Sequence, residues 1–493
     1  MFTANRYVKA WSFGPLVWAI ATISIAADIP TRQTPVEEGQ QLFLKQFAVD
    51  TKQPNGGDGL GPLFNHVSCA ACHRQGALGG GGDVEFNVSL LCAQLEPGSV
   101  RPEQKLLLFT LRGLHPAFVG DDNRIVPAIL LHRFGPGERY FQLKTTLGGQ
   151  HVPLEPDPLE RKDLQQQLAE DPLPFVKKSN HIRLIRAQRN TTALFGAGLI
   201  DRIPDEMLHD LAKSQAAEGK VSGRVPPIGP NKVGRFGWRG QQERLHDFVL
   251  GACANELGLE VPGNSQPINP LQPKYRTTGL DLTAQQCESL TAFVASLPPP
   301  VAFEPQQPFQ RAVQSRGREV FDSVGCAHCH VERVGSVESI YSDLLLHDMG
   351  PALADPVLAE ASLTFIRPLP PLPRGTRPQP PPPTASMYYG GSTFQDLALT
   401  GRPPATVDIQ DPRTGARSQY RVESSNLESE WRTPPLWGVA DSPPYLHDGR
   451  AATLIDAISL HGGEAAFAVE KFNSLELPDR NRLISFLRSL RAP

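Results

Sequence analysis

The sequence predicts a mainly α-helical fold of two related domains, with a small β-sheet inserted into the first half. Three observations predict it: a Cys-x-x-Cys-His motif occurs twice, similar segments flank both copies, and several of these segments have helical periodicity. The 493 residues are enough for two or three domains with cores of their own. The net charge of −3 excludes the basic excess that is typical of nucleic-acid binding.

The first residues have the pattern of a secretory signal. Arg6 and Lys9 precede the apolar run WSFGPLVWAIATISIAA, which ends in small residues, so we expect cleavage near Ala26. A single anchoring helix is the alternative, but the run is short for a membrane span and contains a Gly-Pro pair. The sequence therefore predicts a signal peptide over residues 1–26 and an exported chain with no stable membrane span after processing.

The two halves of the chain repeat the same order of segments. Three matching pairs flank the motifs: 37–43 with 315–321, 191–200 with 433–442, and 244–252 with 453–461. Order is kept while the offset falls from 257 residues at the cysteines to 209 at the last pair, which is the pattern of an internal duplication. A proline-rich join at 296–308 divides the mature chain into domains of 27–300 and 301–493.

Local patterns predict the main elements. The segment GREVFDSVGCAHCH (317–330) reads as a helix that runs into the second motif, and QQCESLTAFVASL (285–297) as an amphipathic helix. The segments ERYFQLKTTL (138–147) and HIRLIRAQR (181–189) alternate like strands of the inserted sheet. Residues 365–384 predict an extended polyproline loop within the second half.

Cys-x-x-Cys-His is the spacing for covalent attachment of haem c. The two thiols lie about one helical turn apart, where they reach the two vinyl groups, and the adjacent histidine falls under the iron. A redox dithiol would not need the histidine, and a zinc site would need further cysteines nearby. Two covalently bound haem c groups are predicted, with His73 and His330 as proximal iron ligands. The attachment thiols are Cys69, Cys72, Cys326 and Cys329.

Three cysteines lie outside the motifs. Cys92, Cys253 and Cys287 are each expected to be a buried thiol or part of a structural disulfide, with Cys253–Cys287 the most plausible pair.

Several segments as a set resemble the di-haem oxidoreductase (putative peroxidase) family, relatives of the bacterial di-haem cytochrome c peroxidases. They are GDGLGPLFNHVSCAACH, NTTALFGAGLIDRIPDEML, GRFGWRGQQERLHDFV, YSDLLLHDMGPALAD and EWRTPPLWGVADSPPYLHDGRAATLIDAISLHGGEA. The resemblance covers most of the chain from about residue 36 to 493, but a proline-rich insertion near 360–424 departs from the family pattern.

The resemblance implies two cytochrome c-like haem domains in a periplasmic oxidoreductase. In such an enzyme the N-terminal haem reduces hydrogen peroxide, and the C-terminal haem receives electrons from a soluble monohaem cytochrome c or cupredoxin. Relatives also hold a calcium ion between their domains, although no dedicated loop for calcium is evident in this sequence.

The second iron has a candidate for its sixth ligand. His461 follows the helix after YLHDG, at the place where relatives ligate the electron-transfer haem, and Met349 is the alternative. His347 is a further possibility, whereas His447 is expected to contact structure or a propionate.

The first iron has no such candidate, because the duplication places Ala252 where the second half has His461. The glycines of GALGGGGD are expected to let the backbone approach a flat ligand while the distal face stays open. Four histidines could close that face from a distance: His66, His115, His132 and His151.

Two further residues carry roles implied by the resemblance. Glu256 matches the distal glutamate that moves a proton during peroxide cleavage. Trp238 matches the tryptophan between the haems, which carries electrons from the second to the first. Two alternatives stay open: a non-catalytic di-haem electron carrier, and a di-haem enzyme that oxidises a protein or organic substrate.

Overall fold

The computed structural model describes residues 33–95, 104–120, 123, 125–126, 128–148, 176–179, 182–229, 232–300, 303, 305–355, 362–370, 406–410, 417–423 and 428–493. The predicted signal peptide over 1–26 lies outside these residues. Contacts group Pro35–Pro493 into one unit, and the boundary near residue 300 stays a prediction. No helix in the described ranges is both long and apolar enough to cross a membrane.

The described residues are mainly helical, as predicted. Twelve α-helices lie among them: Pro35–Leu44 (α1), Cys69–Cys72 (α2), Gln104–Leu114 (α3), Gly137–Gly148 (α4), Ala197–Ile200 (α5), Asp205–Glu218 (α6), Leu245–Leu257 (α7), Ala284–Ser296 (α8), Pro308–Val324 (α9), Leu454–Leu460 (α10), Ala466–Ser474 (α11) and Leu477–Leu487 (α12). Short 3₁₀ turns include Cys326–His328 at the second motif.

Local sequence explains where several helices begin and end. Thr283 and Gln286 form a capping box that starts α8, and Thr453 forms the same arrangement with Asp456 at α10. Helix α9 has Pro308 in its first turn and ends at Gly325 in the left-handed region, so the chain turns directly into the second motif.

Small antiparallel sheets accompany the helices. In the first half, Val88–Leu95 (β1), Ala128–Leu130 (β2), Val176–Ser179 (β3) and Ile182–Arg189 (β4) form a sheet in the order β2-β1-β4-β3. Pro227–Gly229 (β5) pairs with Lys232–Val233 (β6), and Leu346–Asp348 (β7) pairs with Glu430–Arg432 (β11). The predicted inserted sheet is therefore present, and β4 is one of its predicted strands.

The strand predicted over 138–147 is wrong, because this segment is helix α4. Tyr140 and Leu147 are buried and Leu143 packs on the same apolar cluster, a spacing that matches one face of a helix. The two threonines near its end favoured a strand, but packing against the sheet overrides that preference.

The insertion contains regular structure that the sequence analysis missed. Ser362–Leu369 (β8), Thr406–Gln410 (β9) and Arg417–Glu423 (β10) form a sheet in the order β8-β10-β9. The prediction of a loop is therefore wrong for residues 365–369, whereas 371–384 lie outside the described residues. Pro368 is tolerated in β8 because an edge strand leaves one side of its backbone unpaired.

The helix before each motif crosses a partner helix at a glycine. A Cβ at Gly39 of α1 would overlap the Ser289 carbonyl and lie 2.7 Å from the Cβ of Phe293 in α8. A Cβ at Gly317 of α9 would overlap the Arg482 carbonyl and lie 2.9 Å from the Cβ of Phe486 in α12. The sequence match of 37–43 with 315–321 thus corresponds to matching helix contacts.

A second matching pair of segments packs reciprocally. Gly196 and Gly438 both have left-handed backbone, with φ of 68° and 69°. The Trp437 ring covers Gly196, whereas the Phe195 ring lies 3.3 Å from the position of a Cβ at Gly438. Each aromatic ring therefore fills the space that the other segment's glycine leaves.

Three apolar clusters hold these elements together. The largest joins α1, α7 and α8 to Leu344 and Trp437 of the second half, a second lies on the inserted sheet, and a third packs α9 against α12. The first and third clusters contact the cysteines of the first and second motif, respectively, so each motif rests on packed helices.

Candidate functional site

The first motif forms one helical turn. Ser68 caps α2 by accepting a hydrogen bond from the Ala71 amide, and Cys69 and Cys72 lie at the ends of the turn, both partly buried. Burial raises the pKa of each thiol to about 12. The pair is thus protonated and spaced as the attachment of a flat, divinyl group requires.

All seven cysteines lie in described residues, and none forms a disulfide. Cys92, Cys253 and Cys287 are buried thiols, and the pair Cys253–Cys287 is not bonded although both residues pack in the largest apolar cluster. These three positions therefore match the buried-thiol alternative.

Backbone contacts hold His73 as a neutral imidazole. Its Nδ1 lies 3.2 Å from the carbonyl oxygen of Gly80, which can only accept, so Nδ1 carries the proton. Burial lowers the pKa of His73 to about 4, which keeps the ring neutral. A backbone hydrogen bond to Thr192 acts against burial and raises the pKa of the ring. A neutral imidazole is the form that an iron would need.

The glycine loop after the first motif packs against the protein itself. A Cβ at Gly80 would overlap the Gln75 carbonyl, and one at Gly82 would lie 2.6 Å from the Cys72 carbonyl oxygen. These glycines let the loop fold back onto the motif and bring the Gly80 carbonyl to His73. The expected approach of these glycines to a flat ligand stays a prediction.

Glu256 lies in the last turn of α7 and is clamped by Asn65. The Asn65 Nδ2 donates to Glu256 Oε2 at 2.5 Å, and the Asn65 amide donates to the Glu256 carbonyl at 2.7 Å. The Arg133 amide donates in turn to Asn65 Oδ1 at 2.9 Å, which fixes the orientation of the side-chain amide. Among the described residues no bond involves Glu256 Oε1, so one carboxyl oxygen is held and the other is left for chemistry.

The surroundings of Glu256 suit proton transfer near neutral pH. Burial raises the pKa of Glu256 to about 7, and the hydrogen bond from Asn65 partly opposes this rise. The carboxylate is close enough to Cys72 to raise the pKa of that thiol. Glu256 is therefore brought together with the first motif, and Asn65 is a site residue that the sequence analysis missed.

The other histidines proposed for the first iron have contacts elsewhere. His66 accepts from the Val67 amide, His115 accepts from the Ala117 amide, and His132 Nε2 lies 2.9 Å from the Asn255 carbonyl oxygen. The His132 Nδ1 is buried without a partner. His151 lies outside the described residues, and Ala252 occupies the position that matches His461.

The second motif lines a cavity of about 310 Å³. Its walls include Cys326, Cys329, His330, Met349 and His461, together with many apolar and aromatic side chains. Such a wall with a few polar groups is typical of cofactor sites. The structure therefore brings together all the residues that the sequence analysis assigned to the second haem.

Two histidines at this cavity have the same arrangement as His73. His330 Nδ1 lies 2.9 Å from the Tyr341 carbonyl oxygen, and His461 Nδ1 lies 2.6 Å from the Ala457 carbonyl oxygen. Burial lowers the pKa of both rings, that of His330 to about 4. Each ring thus offers a free Nε2, so both can ligate one iron, whereas Met349 lines the cavity as a thioether alternative.

His347 has no free nitrogen for iron. Its Nε2 lies 2.9 Å from Asp343 and its Nδ1 lies 2.9 Å from Glu464. Burial alone would lower the pKa of His347, but the bonds to Asp343, Cys329 and Glu464 raise it to about 12. The ring is therefore a buried imidazolium between two carboxylates.

Trp238 lines the same cavity as the second motif. Its Nε1 donates to the Asn190 carbonyl at 2.9 Å, and its ring meets the His447 ring edge-on at 6.5 Å. Positions 238 and 447 are related by the offset of 209, and His447 also stacks on Trp431 at 3.6 Å. The matching segments of the two halves thus meet at these two rings.

The residues present fit a haem group at each motif. Each motif offers two thiols and a neutral histidine whose Nδ1 is bound to a carbonyl, and the second also has the cavity. For calcium, the described residues contain a single close cluster of potential metal ligands, Cys329, Asp343 and His347. This cluster lacks the oxygen-rich shell that calcium prefers.

The comparison with protein families gives a match in the C-terminal part of the chain. A family model described as "Di-haem oxidoreductase, putative peroxidase" matches residues 408–490. The resemblance to the di-haem oxidoreductases is confirmed. The match supports an oxidoreductase with haem cofactors. His461 lies within the matched residues.

Solved structures add distant likenesses to the di-haem oxidoreductase match. Hydrazine synthase of Kuenenia stuttgartiensis is 18% identical with a TM-score of 0.29, and the alignment covers 62% of this chain and 73% of that chain. A MauG-like protein associated with microbial copper homeostasis is 15% identical with a TM-score of 0.25, covering 59% and 90% respectively. At these TM-scores neither likeness carries weight for the site. A comparison with curated protein sequences finds no match.

Proposed function

We propose that this di-haem oxidoreductase is a periplasmic peroxidase that reduces hydrogen peroxide at the first motif with electrons received at the second. Cys69 and Cys72 would hold one haem c covalently, and Cys326 and Cys329 the other, with His73 and His330 as proximal ligands. When bound, such a group supplies an iron that can accept peroxide and exchange single electrons. A soluble monohaem cytochrome c or cupredoxin is the proposed electron donor.

The arrangement of Glu256 carries this proposal. One carboxyl oxygen is fixed by Asn65, the other has no partner among the described residues, and the pKa is raised to about 7 by burial. Peroxide cleavage requires a proton to move from one oxygen to the other, and a positioned carboxylate with a pKa near the working pH is well suited to this task. Glu256 would accept this proton on Oε1 and return it.

The second motif is proposed to hold the electron-transfer haem. His330 and His461 line one cavity and the Nδ1 of each is bound to a backbone carbonyl, so these two residues would hold the iron of that haem through Nε2. Six-coordinate iron suits electron transfer because it leaves no open position for peroxide. Trp238 and His447, which meet edge-on beside this cavity, are proposed to lie between the two haem sites, with Trp238 carrying electrons.

We also propose that the two halves arose by duplication of one cytochrome c-like haem domain. The matching glycine crossings of α1 with α8 and α9 with α12 support this proposal. The isolated bridges Phe236–Gln242 and Tyr445–Ala451 support it further, because they are related by the offset of 209 that the sequence predicts.

Replacement of Glu256 tests the peroxidase proposal. Glu256→Gln keeps the size and the contact with Asn65 but removes the ionisable group, so we expect kcat/KM for peroxide, with reduced cytochrome c as donor, to fall by about 10²- to 10⁴-fold. The matched control is Glu260→Gln, three residues beyond the end of α7, where the carboxylate binds Ser265 and Gln266 instead. The control should keep wild-type turnover.

Three results would count against the proposal. Full activity in Glu256→Gln would exclude the proton-transfer role. Two low-spin irons in the oxidised wild-type protein would favour a pure electron carrier. A high-spin iron without peroxide turnover would favour oxidation of a protein or organic substrate instead.

A further inference from the structure

The cavity beside the second motif contains a buried cation without a counter-ion. Arg432 is 6% exposed, lies at the end of β11 and lines this cavity. Its Nε donates to the Gly237 carbonyl at 2.9 Å and its Nη1 to the Thr433 carbonyl at 3.3 Å. Within the described ranges no bond involves Nη2, and no carboxylate forms an ion pair with this guanidinium.

Two other arginines with little solvent exposure have a carboxylate partner. Arg235 lines the same cavity but is paired with Asp205, and the half-buried Arg189 is paired with Asp355. The carboxylate that influences Arg432 is Asp343, whose Oδ2 is already bound by Gln215 and His347 and whose Oδ1 accepts from the Leu345 amide. An unpaired buried charge is costly, so a structure that keeps one normally supplies its partner from a ligand.

A second polar group in the cavity wall also lacks a partner. Trp437 is 6% exposed and lines the cavity, and its Nε1 is buried without a hydrogen-bond acceptor. An indole N–H can only donate. The cavity thus has one cationic and one neutral donor that both need an acceptor, and an anionic oxygen would satisfy both.

We infer that Arg432 and Trp437 form the carboxylate-binding end of the second haem site and hold a propionate of the group attached at Cys326 and Cys329. This inference rests on the proposed haem at that motif. A guanidinium binds a carboxylate through parallel N–H donors, and Arg432 keeps Nη2 for this purpose while its other nitrogens anchor it to the backbone. Arg432 then also sets the reduction potential of this haem, because a fixed positive charge disfavours the ferric state.

The experiment measures the midpoint potential of the low-spin haem in the holoprotein by spectroelectrochemical titration. Arg432→Met removes the charge at similar volume, and we expect a lower potential. Arg432→Lys keeps the charge and should retain most of the wild-type potential. Trp437→Phe keeps an aromatic ring over Gly196 and deletes the N–H, so it tests the site without the loss of a buried cation; we expect a smaller shift in the same direction.

Several outcomes would overturn the inference. Wild-type potentials in both Arg432→Met and Trp437→Phe would exclude contact with the haem carboxylate, and so would equal shifts in Arg432→Met and Arg432→Lys, which would indicate a packing effect. A mobile anion in place of the propionate would make the wild-type potential depend on added formate, whereas the inference predicts no dependence. Absence of haem from the Cys326–Cys329 motif would overturn the proposed function along with it.

Discussion

At the scale of single residues, a side-chain hydrogen bond joins Asn65 to Glu256. Their side chains come from positions 191 residues apart, so no local pattern in the sequence could predict the bond between them. The sequence alone leads to the proposed attachment cysteines and proximal histidines, because haem c chemistry fixes their spacing within five consecutive residues, and these roles stay predictions. The sequence also could not show that Arg432 lacks a carboxylate partner, because only the folded chain places this residue in the cavity wall.

Loss of the Asn65 side chain should shift the pH dependence of peroxide turnover. The hydrogen bond from Asn65 lowers the pKa of Glu256, while burial raises it to about 7. In the proposed mechanism the ionised form of Glu256 is the proton acceptor, so activity should rise with pH through this value. In Asn65→Leu the carboxylate loses its donor, its pKa rises further, and the acid limb of the kcat/KM profile should move to higher pH.

Cys72 is the titratable group whose pKa responds to the charge of Glu256, and this variant leaves Cys72 unchanged. Asn65→Ser keeps a donor and should partly restore the profile. Asn87→Leu removes an asparagine that bonds Gln188 and the Asp448 carbonyl instead, and should leave the limb unmoved. If the acid limb of the kcat/KM profile did not move in Asn65→Leu, the hydrogen bond from Asn65 would not set the pKa of the catalytic group.

At the scale of elements, the helices that meet at the two motifs were predictable and the packing between them was not. The amphipathic patterns of α8 and α9 predicted both helices. The pattern of α4 was read as a strand because its aromatic and β-branched residues outweighed its helical spacing. Strand β8 was missed because prolines argue against strands unless the strand lies at an edge, which only the folded sheet reveals.

Alanine at either helix-crossing glycine should destabilise the protein. A Cβ at Gly39 or Gly317 would overlap a backbone carbonyl of the partner helix, which cannot move without separating the helices. We expect each variant to lose about 1–3 kcal/mol of unfolding free energy, measured by denaturant titration. Gly113→Ala is the control, since a Cβ there meets no atom within 4 Å and alanine favours a helix. Equal unfolding free energies of Gly39→Ala and Gly113→Ala would show that the crossing of α1 with α8 has room for a Cβ.

At the scale of the whole molecule, the segments that match between the two halves of the sequence also make matching contacts, while the residues proposed for the two iron sites differ. Trp437 covers Gly196 and Phe195 covers Gly438, so matching segments of the two halves face each other. The repeats in the sequence predicted which segments match but could not predict that they touch. The two halves differ at the positions proposed for function: the position of His461 in one half is Ala252 in the other, and Glu256 matches Ala465. We expect one closed and one open iron as a result.

Low-temperature electron paramagnetic resonance of the oxidised holoprotein tests this asymmetry most directly. Our account predicts one low-spin signal from the iron held by His330 and His461, and one high-spin signal of equal amount from the iron at His73. His461→Ala should convert the low-spin signal to a high-spin signal and leave the signal of the iron at His73 unchanged. Two low-spin signals in the wild-type protein at neutral pH would contradict the account.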